Sequence, residues 1–279
     1  MAHRAISTEP RSRSCAGRVF AVPVLEQALL VERHHAEWFV AEGAVPGTEV
    51  HRDRDVTWLV HPGDSWRNAG IMVRFRSSTA ARRLDTLIER YRGHGRGMAL
   101  WIAPGATPDN LRDLLEARKL RCQKYYPAMV RSLSDTRPAE ARPAGFEIGR
   151  VKDATVFEKT PHPSIGAITT PLRRQALDRL RSLISSRSER TVAFVAWLEK
   201  QPVGACEVFH GSEVAGLHSL TVPDEHRGRG IGAALVEHAC RHAVQRGAST
   251  MVLLASSDGQ RLYERCGFEQ VARFGYWYR

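Results

Sequence analysis

Residues 217–235 read LHSLTVPDEHRGRGIGAAL, and this stretch decides how the chain is interpreted. An apolar segment ends at Val222, a loop rich in glycine and arginine follows, and an apolar helical stripe begins at Ile231. The first turn of a helix presents unpaired N–H groups and about half a positive charge. Glycines let the main chain approach a bulky anion, so the segment predicts a cradle for a pyrophosphate. The residues predicted to line it are Arg227, Gly228, Arg229, Gly230, Ile231, Gly232 and Ala233.

Glycine-rich loops are common, so the neighbouring sequence is needed to identify the class of this loop. The loop lacks the GKS/T of a nucleotide-binding P-loop. Its spacing also differs from that of a dinucleotide-binding fingerprint, and no acidic residue ends the following strand. A second motif reads Leu262-Tyr-Glu-Arg-Cys-Gly-Phe268, and runs from a short predicted helix into the last predicted strand.

With these two motifs in this order, residues 146–279 resemble the GNAT acetyltransferase superfamily. In that family a Q/R-x-x-G-x-G/A motif between the fourth strand and the third helix binds the pyrophosphate of acetyl-CoA. Here the motif reads Arg227-x-x-Gly230-x-Gly232, and the family's later LYExxGF motif matches residues 262–268. The resemblance implies an α/β (α+β) fold, with a central mixed, mostly antiparallel sheet flanked by helices. It also implies acetyl-CoA, or another acyl-CoA, as co-substrate without a metal.

The resemblance further implies roles for individual side chains. Tyr263 is expected to give a proton to the leaving thiolate, because a phenol with a pKa of about 10 is protonated at neutral pH. His218, on the strand before the loop, is the first candidate for the base, and Glu207 on the preceding strand is the second. Strand alternation predicts His218 on the same face as Leu220 and Val222. Plain packing is the alternative for both rings, as a half-buried tyrosine and as a strand histidine.

Main-chain groups of the same strand are expected to contact the pantetheine arm, and an N–H there could polarise the acyl carbonyl. The resemblance also places a polar contact after the next strand, where this chain has serine and many relatives have asparagine. These two sets are Leu220, Thr221 and Val222, and Ser256 and Ser257. The five cysteines are scattered without a CxxC, which argues against disulfides and zinc and favours buried thiols. Cys266 has no paired base and is not expected to be a nucleophile.

The first half of the chain repeats part of this order. Aligning Leu114-Leu115-Glu116 with Leu262-Tyr263-Glu264 matches both helix-to-strand junctions at one offset, which indicates a diverged internal duplication. In this alignment a leucine stands where the second half has its tyrosine. The predicted strands are Thr57–His61, Ile71–Phe75 and Met98–Ala103, the helices Ala80–Tyr91 and Asp109–Ala117, with Cys122–Leu133 as an extended tail.

A second R-x-x-G-x-G match, Arg92-Gly-His-Gly95-Arg-Gly97, lies between a predicted helix and a predicted strand. No helix N-terminus would then face a ligand, so this match is expected to be a helix-ending loop. The chain is predicted to be a tandem of GNAT-like domains. Its parts are a disordered segment 1–18, a degenerate domain 19–134, a Pro-rich linker 135–145 and a catalytic domain 146–279.

The charge is strongly positive, +11 over 279 residues with a pI of about 10.0. Residues 1–145 hold 23 lysines and arginines against 16 acids, and residues 146–279 hold 18 against 14. A positive field attracts polyanions, and both coenzyme A and transfer RNA fit that description. The arginines expected to form a basic cluster are Arg74 and Arg76 on one strand face, and Arg82, Arg83, Arg90, Arg92 and Arg96 nearby.

The sequence therefore favours an N-acyltransferase that moves an acyl group, in the first place acetyl, from acyl-CoA to a primary amine on a small molecule or peptide. The alternative is an acyltransferase that engages tRNA as donor or acceptor, and a non-enzymatic sensor is a third option. No apolar run reaches about 18 residues, so no membrane span is expected. The Arg/Ser-rich start resembles no signal peptide, and a cytoplasmic location is expected. Acceptor and oligomeric state carry no signature.

Overall fold

The computed structural model describes residues 21–43, 47–62, 67–134, 145–152 and 190–279, with the main chain alone at residues 21–23, 42 and 43. Three predictions fall wholly or mostly outside these residues. They are the disorder of residues 1–18, the linker, and a helix that apolar spacing predicts over Leu172–Ser185.

The described residues form five α-helices and one eleven-stranded mixed sheet. The first half contributes α1 (Ala21–Gly43), β1 (Glu49–Arg52), β2 (Thr57–Val60), β3 (Ala69–Ile71), α2 (Ala80–Gly93), β4 (Ala99–Ile102), α3 (Leu111–Ala117) and β5 (Arg121–Ser132). The second half contributes β6 (Phe146–Arg150), β7 (Thr191–Leu198), β8 (Gln201–His210), β9 (Ala215–Thr221), α4 (Ile231–Gln245), β10 (Thr250–Leu254), α5 (Gln260–Arg265) and β11 (Glu269–Tyr278).

The two halves share one sheet because their strands interleave at its centre. The order is β1-β2-β3-β4-β11-β5-β10-β9-β8-β7-β6, so β11 of the second half lies between β4 and β5 of the first. In return, β5 lies between β11 and β10, and it pairs antiparallel with both. The predicted extended tail Cys122–Leu133 is therefore a central strand, and each half supplies a strand to the other.

Both halves repeat the same order of elements around this centre. A parallel strand pair is joined by a helix, β3-α2-β4 in the first half and β9-α4-β10 in the second. A short helix and a long strand follow, α3-β5 and α5-β11. The sequence offset that aligns Leu115 with Tyr263 also aligns α3 with α5 and β5 with β11, which agrees with the predicted duplication.

The long helix α1 is the main element that the sequence patterns did not predict. Its buried face repeats every three to four residues, through Ala28, Val31, His35 and Phe39, as an amphipathic helix requires. It packs on β5, β9, β10 and β11, on the face of the sheet opposite α4, and also touches β2. Glu32, His34 and His35 interrupt the apolar stripe, which is why periodicity alone missed it.

The other predicted elements agree with the structure to within a few residues, with one shift. The strand predicted at Ile71–Phe75 is instead Ala69–Ile71, because Met72 has φ 59° and ends it. Arg74 and Arg76 consequently follow the strand rather than sharing one of its faces. Strand β1 was not predicted. Among the described residues, no helix is long and apolar enough to cross a membrane.

Candidate active site

A notch opens in the sheet between β9 and β10. The two parallel strands pair only at their beginnings, Ala215 with Met251 and Gly216 with Val252. Beyond these positions β9 continues to Thr221 and β10 to Leu254 without further pairing between them. The main-chain groups along the end of β9 are thus available to a ligand at the carboxyl ends of two parallel strands, where open α/β sheets bind ligands.

The start of α4 stands at the end of this notch without a side-chain cap. Gly230 is the N-cap with φ 76°, and Gly228 has φ 75°, conformations that favour glycine. Ala234 donates to the Gly230 carbonyl over 2.9 Å, so the amides of Ile231, Gly232 and Ala233 precede the first helical hydrogen bond. Three adjacent amides at a helix start form an anion site.

The two arginines of the loop act differently. The Arg227 guanidinium folds back onto the Val222 carbonyl at 3.2 Å and onto Asp224 at 2.9 Å, so it braces the loop. Arg229 is exposed and has no ion-pair partner among the described residues, which leaves its charge available to a ligand. Gly232 has a packing reason in addition to the one predicted, because a Cβ there would lie 3.0 Å from Cδ2 of Leu262 in α5.

A bulge in β9 changes which side chains face which way. Ala205 pairs with Thr221, and Glu207 pairs with His218. Between these two pairs β9 advances by three residues and β8 by two, so β9 contains one extra residue. Ser219, inside this bulge, has φ 52°. Leu220 and Val222 pack with the α4 core, whereas His218 contacts α1 on the opposite face. The prediction that His218 shares a face with Leu220 and Val222 is therefore wrong, because the extra residue reverses the alternation.

His218 lies in a cluster that the first half of the chain completes. Its Nε2 is 3.2 Å from Nε2 of His34, and the ring of Trp38 stacks on it with centroids 4.3 Å apart and an interplanar angle of 6°. Glu207, directly across on β8, points to the same face and is 1% exposed. The structure thus brings the two predicted base candidates together, and adds His34 and Trp38, which sequence reasoning missed.

Polar contacts clamp α1 to the turn between β8 and β9. Arg33 donates to both carboxylate oxygens of Glu213, over 2.6 and 2.8 Å. Glu37 accepts from the main-chain N–H of Ser212 over 3.0 Å and also from Arg190. These contacts hold the helix that carries His34 against the strand that carries His218.

Tyr263 lies on the face of the sheet opposite His218. It lies in the α4 core, with its ring 5.8 Å from that of Phe268, and is 8% exposed. Burial is the main cause that raises the pKa of its phenol above the ordinary value, and the nearby thiols of Cys206 and Cys266 raise it further. The phenol is therefore protonated at neutral pH, as a proton donor must be.

The two serines after β10 support the start of α5. Ser256 Oγ accepts from the Gly259 N–H over 3.1 Å, and Ser257 Oγ lies 3.4 Å from a carboxylate oxygen of Asp258. Both residues are exposed, so the Ser256 hydroxyl proton can still be donated to a ligand.

The thiols do not suit nucleophilic chemistry. Burial raises the pKa of Cys240 to about 12 and that of Cys266 to about 11, so both are protonated at neutral pH. The cysteines of the described residues are unpaired, and no cluster suited to a metal ion occurs there.

The first half carries an equivalent notch that is closed. Arg74 bridges to Thr107, which donates its N–H to the Val73 carbonyl over 3.2 Å and its hydroxyl to the Phe75 carbonyl over 3.0 Å. The Arg92–Gly97 motif begins in the last two residues of α2 and leads into β4, as predicted for a helix-ending loop. The first half therefore offers neither an open notch nor a helix start at its glycine motif.

The predicted basic cluster is partly neutralised by acids. Arg74 pairs with Glu32 at 2.5 Å, and Arg83 pairs with Asp55 at 3.1 Å and also with Asp53. Arg92 pairs with Glu89 at 2.5 Å. Such pairing lowers the positive potential that a polyanion would meet, and it weakens the case for nucleic acid.

Comparison with known proteins finds a family match in the second half of the chain. Residues 162–268 match the model described as the acetyltransferase (GNAT) family. An uncharacterized N-acetyltransferase of Methanocaldococcus jannaschii is 33% identical over 96 residues, 31% of this chain and 42% of the relative. One from Chlorobaculum tepidum is 31% identical over 81 residues, 29% of this chain and 51% of the relative. The similarity thus spans about half the length of these relatives.

Solved structures share the fold over most of the chain. A GCN5-related N-acetyltransferase from Kribbella flavida has a TM-score of 0.68 at 18% identity, and covers 87% of this chain and 94% of its own. A tandem GNAT protein from the clavulanic acid biosynthesis pathway has a TM-score of 0.62 at 16% identity, covering 93% and 95%. The family model over residues 162–268, the two N-acetyltransferase relatives and the fold shared with a tandem GNAT protein together support assigning the chain to the GNAT superfamily.

Proposed function

We propose that the second half of the chain is an N-acyltransferase that moves an acyl group, with acetyl as the first candidate, from acyl-CoA to a primary amine by direct attack on the thioester. The observation that carries this proposal is the open β9–β10 notch beside an uncapped helix start. Three amides at residues 231–233 suit a pyrophosphate, and Arg229, which has no ion-pair partner within the described ranges, adds a positive charge.

The edge of β9 suits the pantetheine arm. Leu220, Thr221 and Val222 lie beyond the last β9–β10 pair, so their main-chain groups can hydrogen-bond to an amide-containing arm in the manner of an added strand. A bulge leaves one residue out of the ladder. An amide released there would polarise the acyl carbonyl and stabilise the negative charge that develops on its oxygen.

In this mechanism His218 is the base and Tyr263 is the acid, and the two side chains lie on opposite faces of the sheet. The pKa of a primary amine, about 10.4, is about 3.4 units above pH 7, so the amine is almost entirely protonated. Removing that proton costs about 4.6 kcal/mol, which a nearby base helps to offset. His218 accepts the amine proton as the C–N bond forms, and Glu207 on the same face stabilises the imidazolium. As the C–S bond breaks, Tyr263 gives its proton to the sulfur, and solvent carries a proton from His218 back to Tyr263.

This arrangement assigns the acceptor to the α1 side of the sheet. His218 faces α1, whereas Tyr263 lies in the α4 core on the other side. An amine that meets His218 must therefore arrive beside Trp38 and His34. The first half of the chain then forms one wall of the acceptor site. It does not need a cofactor site of its own for this role.

A thiol-release assay tests the proposal. Purified protein is mixed with acetyl-CoA and a panel of amines that includes polyamines, amino sugars and lysine-containing peptides, and free coenzyme A is measured. We expect at least one class to be acetylated, and Tyr263→Phe to lower kcat by about 100-fold or more without weakening acetyl-CoA binding. Tyr125→Phe, at an exposed tyrosine of β5, is the matched control. Bound acetyl-CoA with no thiol release for any amine would contradict the proposal.

A further inference from the structure

Two imidazoles meet nitrogen to nitrogen between the halves of the chain. Nε2 of His34 and Nε2 of His218 are 3.2 Å apart, a hydrogen-bonding distance. His34 is 3% exposed, and burial lowers its pKa to about 4, so its ring is neutral at physiological pH. A neutral imidazole has one N–H and one lone pair, so the direction of this hydrogen bond decides the tautomer of both rings.

The surroundings of His34 set that direction. A Cβ built on Gly211 would lie 2.7 Å from Nδ1 of His34 and 2.8 Å from the Val214 carbonyl oxygen, so these two atoms are neighbours, and the partial negative charge of the oxygen favours a proton on Nδ1. Nε2 of His34 then holds the lone pair and accepts from Nε2–H of His218. The lone pair of His218 is consequently on Nδ1, which becomes its basic atom.

The His34 ring is held firmly enough to impose this choice. A Cβ on Gly216 would lie 1.9 Å from Nε2 of His34, and a Cβ on Gly211 would lie 2.7 Å from its Nδ1. Both glycines thus leave the space that the imidazole fills. The clamps at Arg33 and Glu37 fix the helix from outside, and Trp38 stacks on the partner ring.

We infer that His34 is a positioning residue, which fixes His218 in the tautomer whose Nδ1 accepts the proton of the acceptor amine. The inference rests on the proposed function, in which His218 is the base. It assigns to the degenerate half a direct part in the reaction, through a helix that carries no family motif. The ionisable groups around the pair are His35, Glu37, Arg190, Glu207 and His210.

A matched pair of substitutions separates hydrogen bonding from space filling. His34→Gln keeps an acceptor near the position of Nε2, whereas His34→Met has a similar shape and no comparable acceptor. We expect His34→Gln to keep kcat within about threefold, and His34→Met to lower it about tenfold or more with little change in KM. The midpoint of the acidic limb of the pH–rate profile should move in His34→Met only. Equal kcat values and equal profiles for the two variants would overturn the inference.

A second measurement needs neither a variant nor turnover. Long-range ¹⁵N–¹H correlation spectra of the wild-type protein, assigned with a His218→Asn variant, report which nitrogen of His218 carries the proton. We expect the Nε2–H form. A His218 protonated on Nδ1 would overturn the inference even if amines are acylated. The expected tautomer without any acyl transfer would instead overturn the proposed function and, with it, the catalytic role of His34.

Discussion

Trp277 of the second half lies opposite Leu100 of the first half in the sheet, and both side chains are buried in the core beneath α2. The indole of Trp277 is 3% exposed. A strand of the second half therefore completes the hydrophobic core of the first half, and the two halves are expected to unfold together.

Replacing this indole tests the interdependence of the halves. Trp277→Ala should lower the free energy of unfolding by about 3–5 kcal/mol, because it removes a large buried side chain and leaves a cavity. Denaturant unfolding followed by circular dichroism should show one transition at a lower midpoint, with Trp277→Phe intermediate. Two separate transitions, with only the first shifted, would show that the halves fold independently.

The sequence predicted the conformation of the glycine loop well because its signals are local. Glycines with positive φ, a helix start and neighbouring arginines all lie within a few residues of Gly230, and each has a conformational meaning of its own. The early end of β3 at Met72 and the bulge at Ser219 carry no such sign. They depend on how neighbouring strands pair, and for that reason the face of His218 was predicted wrongly.

The contributions of α1 and of the interleaved strands could not be read from the sequence for a different reason. His34 reaches His218 across 184 positions, and β11 joins β4 through pairing that no local pattern encodes. Two adjacent histidines in a helix that mixes polar and apolar residues are usually interpreted as solvent-exposed. Only the glycines at 211 and 216 could have signalled a close approach.

Acid should destabilise the protein through the buried histidines of α1. Burial lowers the pKa of His34 to about 4 and that of His35 to about 3, whereas an unfolded histidine titrates near about 6.5. Between these values the unfolded chain binds more protons, so the free energy of unfolding falls as pH drops from about 6.5 towards 4.

The variant His35→Phe isolates one of these two contributions. His35 lies between the rings of Trp38 and Trp101, where a phenyl ring can replace it. Thermal unfolding at pH 7 and pH 5 should show a smaller loss of Tm for His35→Phe than for the wild type. An identical loss in both proteins would mean that His35 makes no contribution to the acid sensitivity.

Arg229 should contribute to affinity without contributing to stability. It is exposed and has no ion-pair partner in the described residues, so Arg229→Ala should leave Tm unchanged when no ligand is present. The Kd for acetyl-CoA should rise about tenfold, consistent with one lost charge-assisted contact. Arg82→Ala removes the same charge from an exposed position on α2 and controls for the overall field. Equal effects of the two variants would indicate long-range attraction instead of a contact.

The chain offers a matched pair of glycines that tests whether the start of α4 binds the pyrophosphate of acyl-CoA. Gly230 and Gly95 have φ 76° and 66°, stand in the same R-x-x-G-x-G pattern, and have open space around a built Cβ. Alanine should therefore strain both loops similarly. Isothermal titration with acetyl-CoA is predicted to show one site per chain, weakened at least about tenfold by Gly230→Ala and unchanged by Gly95→Ala. Two sites per chain, or equal affinities for the two variants, would contradict the account.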